Sequence, residues 1–258
     1  MKNFDAILNE VFTADEEELK TLVHHPSSRI ISKILMNQNL SEDLALIIAR
    51  RKNIDPIILE SIYNDVRWKD SYRIKLTLCR NPKTPQRIGL SIIKTLKIID
   101  LADLTRNKQV PINVRTKAED AVIEKIISLP LGIKIALARK ASSNVLVRLI
   151  EDGMREVVKI CLDSSYITEG NICAIVSKKK TTSHVIHQIA HHPKWSRIYN
   201  VQRVLILNNH TPLIRIVDFL KNISTSDLRD LYSLPAIPSS SKPFIYRELQ
   251  ERGVGDQE

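Results

Sequence analysis

His184, His187, His191 and His192 form the sharpest chemical constellation in this sequence. On one helix, His184, His187 and His191 share a face, and His187 with His191 has the i, i+4 spacing by which neutral imidazoles hold zinc. A zinc ion would need a further ligand or a water, and no acid lies nearby in sequence. The same residues also read as punctuation. His184 can open a helix, and His191-His192-Pro193 can stop one, as His24-His25-Pro26 does. Punctuation is the preferred reading, and no metal ligand is assigned from the sequence.

The second candidate is a set of basic helix ends: Arg50-Arg51-Lys52, Arg80 with Lys83, Arg106 with Lys108, Arg139-Lys140, and Lys178-Lys179-Lys180. Cations at helix C-termini meet the partial negative charge of the last carbonyls and need no partner to be favourable. Stacked along one edge, they would make a ridge able to track a phosphate backbone. Turns one helix apart lie on opposite edges, so such a ridge depends on helix parity. Trp68 and Trp195, each with a tyrosine four residues on (Tyr72, Tyr199), suit base stacking or a core; helical spacing favours the core.

For catalysis the sequence offers little. No paired carboxylates stand out, and Glu119-Asp120 fits a solvated helix face. There is no Gly-framed serine and no Cys–His arrangement. Only 6 glycines in 258 residues argue against Gly-rich phosphate loops, and abundant Ile and Leu favour helices. The three scattered cysteines, Cys79, Cys161 and Cys173, fit a reducing compartment rather than a disulfide framework. No apolar run reaches membrane-spanning length, and no signal peptide is evident, so a cytoplasmic protein is expected. The net charge of +10 permits an acidic partner such as nucleic acid.

The elements that must position these residues are short helices separated by stops. The clearest stop is Cys79-Arg80-Asn81-Pro82-Lys83-Thr84-Pro85. Asn81 is expected in left-handed backbone, Pro82 as a terminator, Thr84 as the next cap and Pro85 at the first helical position. Variants recur: Asp55-Pro56 is a cap and first turn, Ser41 and Asp15 are caps, and Val110-Pro111 and Thr211-Pro212 close other turns. Helices are expected over 43–50, 57–63, 86–96 and 113–127, among others. Helices of this length are marginal alone, and turns of four to six residues make neighbours antiparallel.

The second half restates the first at an offset of 127 or 128. Trp68 and Tyr72 match Trp195 and Tyr199, and Asn81–Pro85 matches Asn208–Pro212. Asp103-Leu104 matches Asp230-Leu231, Leu22-Val23 matches Leu149-Ile150, and Arg50-Arg51-Lys52 is paired with Lys178-Lys179-Lys180. This pattern predicts an internal duplication. The predicted halves are 1–127 and 128–253, with 254–258 as a frayed tail. The predicted fold is all-α: a right-handed α-α superhelix of short antiparallel helices.

Arg80-Asn81-Pro82-Lys83-Thr84-Pro85 followed by Ile88 resembles the bacterial leucine-rich-repeat-variant unit, a HEAT-like helical repeat. The likeness is closest at residues 78–93 and looser at the turns near 51, 106 and 208. It implies a helical solenoid that recognises a partner, without implying a reaction. Some members carry an N-terminal cysteine cluster for an iron–sulfur centre. No cysteine precedes Cys79 here, so that cofactor does not carry over and none is expected. HEAT-like folds also include DNA glycosylases, whose acid and aromatics in a basic groove the sequence does not assemble. The expected function is a non-catalytic scaffold binding a protein on its concave surface. The alternative is a basic solenoid gripping DNA or RNA.

Overall fold

Several helices open on a local signal. Asp15 accepts from Glu18 N while Glu18 accepts from Asp15 N, a reciprocal cap that opens a helix. Asp55 accepts from Ile57 N, with Pro56 in the first turn. Thr168 and Asn171 repeat the reciprocal arrangement. The computed structural model describes residues 4–253; the expected frayed tail lies outside them.

The described residues are all-helical, with no strand among them. In order, the α-helices are α1 (Phe4–Thr13), α2 (Glu16–Leu22), α3 (Ser28–Ile34), α4 (Glu42–Arg50), α5 (Pro56–Asn64), α6 (Tyr72–Arg80), α7 (Gln86–Ile93), α8 (Ile98–Arg106) and α9 (Ile112–Lys125). A second series follows: α10 (Leu131–Lys140), α11 (Ser143–Asp152), α12 (Arg155–Leu162), α13 (Glu169–Ser177), α14 (Ser183–His191), α15 (Tyr199–Ile206), α16 (Leu213–Leu220), α17 (Thr225–Ser233) and α18 (Lys242–Glu251). The helix expected over 86–96 is shorter, ending at Ile93. The chain divides into two compact units, Met1–Val122 and Ile123–Glu258, the boundary falling inside α9.

Within each unit, many helices touch a sequence neighbour or the helix after it. In the first, α4 packs on α6, α1 on α3 and α3 on α5. In the second, α10 packs on α12, α12 on α14, and α13 on α15. The apolar stripes meet between these rows. Ile30, Ile31, Ile34, Ile48, Ile58, Leu59 and Ile62 are buried in the first unit; Val145, Leu149, Val158, Ile172, Ile175 and Ile189 are buried in the second. Each such side chain contributes about 1.5–3 kcal/mol by leaving water. Gly89 lets α7 approach α9, since a Cβ there would lie 3.0 Å from Val114 Cγ2.

The helix bounds recur at a spacing of 127 residues. The first residues of α4, Glu42, and of α13, Glu169, are separated by that interval, as are their last residues, Arg50 and Ser177. Both ends also coincide for α1 with α10, α5 with α14, α7 with α16, and α8 with α17. The hydrogen bonds follow. Asn81 Nδ2 donates to Ala49 O and Asn208 Nδ2 to Val176 O, both at 2.7 Å. Thr84 donates to Leu78 O and Thr211 to Leu205 O, both at 2.6 Å. Tyr72 donates to Asp100, and Tyr199 to Asp227. In this register Arg51, not Arg50, aligns with Lys178, which corrects the expected pairing of basic triplets by one residue.

The stop at Arg80–Pro85 works differently from expectation. Asn81 is extended (φ −82°, ψ 125°), and no described non-glycine residue has positive φ. The asparagine acts through its side chain. Its Oδ1 accepts from Lys83 N at 2.9 Å, and its Nδ2 reaches back to Ala49 O and Arg51 O. Thr84 turns backward to the end of α6 instead of capping α7, and Pro85 itself stands at the cap position.

Candidate functional site

Arg50, Arg80 and Arg106 are the last residues of α4, α6 and α8. The turns that follow them share one edge of the first unit. Arg51 Nη1 donates to Val23 O at 2.9 Å, tying the turn after α4 to the turn after α2. Asn81 ties the turn after α6 to the turn after α4. A groove of about 280 Å³ adds the turn after α8, since Asn107 and Gln109 line it with Arg50, Lys52, Thr77, Arg80, Asn81 and Pro82. The parity that the sequence left open therefore places the basic turns of this unit together.

The charges of the groove are unevenly balanced. Arg80 pairs with Asp103 at 2.8 Å and lies 3.9 Å from Asp100. Arg50 and Lys52 are exposed and pair with no acid among the described residues. No carboxylate lines the groove. Lys83 and Lys108 are exposed beyond it, and Arg106 is half-buried.

The second unit disperses its cations. Lys134, in the first turns of α10, is buried and pairs at 2.7 Å with Asp152, the last residue of α11. Lys178 pairs with Glu151, one residue earlier. The far end of α10, carrying exposed Arg139 and Lys140, thus faces the edge opposite Lys178, Lys179 and Lys180. At 127 residues' spacing, Arg50, Arg80 and Arg106 correspond to Ser177, Leu207 and Ser233.

The histidines are drawn to separate partners. His184 Nε2 meets Gly153 O, and its Nδ1 faces Thr182 Oγ1 at 3.2 Å. His191 Nδ1 contacts His187 O at 2.8 Å, with the two rings stacked 5.7 Å apart. His192 bridges to Asp163 at 3.1 Å and accepts from Lys194 N. Among the described residues no group of three His, Cys, Asp or Glu is placed to hold a metal ion. His191 and His192 instead border a second groove, between α12 and α14. It measures about 410 Å³ and is lined by Arg155, Glu156, Lys159, Leu162, Gln188, His191, His192 and Pro193. Sequence reasoning missed this groove because its walls come from helices two apart in the chain.

Trp68 and Trp195 are core residues, 5% and 1% exposed. Their tyrosines are not: Tyr72 OH accepts from Lys97 N and donates to Asp100, bridging to the start of α8, and Tyr199 does the same for Ser224 and Asp227. Burial, with the Asp100 hydrogen bond adding to it, raises the Tyr72 pKa; the Tyr199 hydrogen bond lowers that of Asp227. Burial pushes the thiols of Cys79 and Cys161 up to about 12, so neither is a nucleophile at neutral pH. No described helix is long and apolar enough to cross a membrane.

Comparison with known proteins adds no name: no family model, no curated protein and no solved structure matches this chain.

Proposed function

We propose that this chain is a non-catalytic helical-repeat scaffold of the cytoplasm that binds a protein partner. In this reading its helices stack as a right-handed HEAT-like superhelix of leucine-rich-repeat-variant type, and its two series of helices descend from an internal duplication. The polar side chains of the turns hold successive turns to one another, which leaves the spaces between helices for recognition. The observation that carries the reading is the α12–α14 groove, where the apolar stems of Arg155 and Lys159 join Leu162 and Pro193 beneath a charged rim. That mixture suits an extended peptide segment. A photo-crosslinking residue in place of Gln188 should capture one protein that a crosslinker at exposed Arg229 does not. The purified partner should then bind the unmodified chain and lose binding to Gln188→Trp. A partner that binds Gln188→Trp as tightly as the unmodified chain would overturn this reading.

A second reading, a basic solenoid that grips nucleic acid, is favoured by the shared edge of the basic turns in the first unit. Binding that weakens steeply with salt supports it, and no binding at low salt sinks it.

A further inference from the structure

We infer that the groove formed by Arg50, Lys52 and Arg80 is a phosphate-contact site, and that its ligand is the backbone of a double-stranded nucleic acid. The inference rests on the nucleic-acid reading and narrows it to one site in one unit. Three cations line a groove that holds no carboxylate. Arg50 and Lys52 pair with no acid among the described residues, so an incoming anion need not displace one. The two aspartates beside Arg80 hold its guanidinium in place while leaving it 42% exposed. The side-chain amides of Asn107 and Gln109 can donate to phosphate oxygens alongside.

The lining of the groove narrows the ligand. Single-strand binders combine cations with aromatic platforms, and no aromatic side chain lines this groove. What remains is contact with the backbone alone, which reads no sequence and suits a duplex.

The second unit supplies an internal control. Its α13 and α17 have the bounds of α4 and α8 at 127 residues' spacing, and α15 begins where α6 does, yet Arg50 and Arg80 give way to Ser177 and Leu207. Lys179 stands in for Lys52 and is equally exposed. The same helical frame is present there without its converging cations.

The test uses the full chain and a fluorescently labelled random-sequence duplex, with anisotropy read across salt concentrations. Binding should weaken with a slope of about −3 in log K against log salt, one phosphate for each of three cations. Arg50→Glu with Lys52→Glu should weaken binding by at least about tenfold and reduce the slope by about 2. Lys179→Glu with Lys180→Glu makes the same change in net charge and should weaken it less than about threefold. Absence of both duplex and single-strand binding at low salt overturns the nucleic-acid reading itself. Binding that both double variants weaken equally keeps that reading and overturns the site. Tighter binding of a single strand through the same residues overturns the duplex. Displacement of the duplex by polyglutamate at equal charge concentration assigns the groove to an acidic protein segment and overturns the ligand class. Circular dichroism of the variants separates lost contacts from lost folding, since all four positions are exposed.

Discussion

Trp68 and Trp195 hold matching places but make different bonds. Trp195 Nε1 donates to Leu162 O at 2.9 Å, satisfying a carbonyl at the end of α12 that has no helical partner. The equivalent carbonyl of the first unit, Leu35 O, is taken by Arg67, whose guanidinium also covers the Trp68 ring at 4.4 Å. Trp68 Nε1 is buried and finds no acceptor among the described residues. Lys194 replaces Arg67 in the second unit and sits 4.0 Å over the ring without competing for the carbonyl. Removing an indole that makes its bond orphans an acceptor, while removing one that makes none relieves a donor. Trp195→Phe should therefore cost about 1–2 kcal/mol more than Trp68→Phe in chemical unfolding. Equal costs would show that ring volume alone decides. The sequence marked both tryptophans as core from their spacing. It was silent on this difference because Arg67 and Leu35 are far apart in the chain.

At the scale of the element, the legible parts were those whose cause is local. Asp55-Pro56 opens a helix by contacts within two residues, and Asp15 with Glu18 by contacts within three. The role of Asn81 was misread because its acceptor is Ala49, at the end of another helix. The basic turns were visible as residues, but their shared edge follows from clamps such as Arg51 to Val23. The turn after α5 is a clamp of the same kind. Arg67 donates to Asn37 O at 2.8 Å and is held by Asp65 at 2.7 Å. The Arg67 hydrogen bond lowers the Asp65 pKa, against the opposing effect of burial. A carboxylate whose pKa is lowered by folding contributes stability above its unfolded pKa, near 3.9, and loses it as pH falls through the folded value. Asp65→Asn should lower the unfolding midpoint at pH 7. The gap from the unmodified chain should close as pH falls below about 4. A gap of constant size down to pH 2 would mean that the charge is not what the turn uses.

At the scale of the molecule, four of the five matches read in the sequence sit at the spacing of the repeated helix bounds, and the division into compact units falls at Val122–Ile123, inside α9. The residues around Val122 and Ile123 continue one helix, so no composition shift marks them. Each unit has its own buried core and its own tryptophan, which allows its stability to be read separately. The second unit also contains a pair without parallel in the sequence of the first: buried Lys134, 1% exposed, with Asp152. At 127 residues' spacing these positions are Ile7 and His25. Removing one partner of a buried ion pair leaves an uncompensated charge and costs about 3–5 kcal/mol. Replacing both with apolar residues removes the desolvation penalty together with the attraction. Asp152→Asn should lower the denaturant midpoint reported by Trp195 in a Trp68→Phe background, and Asp152→Leu with Lys134→Met should restore much of it. In a Trp195→Phe background, Trp68 should report a smaller shift, because the lost pair belongs to the other core. Equal shifts from both tryptophans would mean that the two units unfold in a single cooperative transition, and the cores would then not be energetically separate.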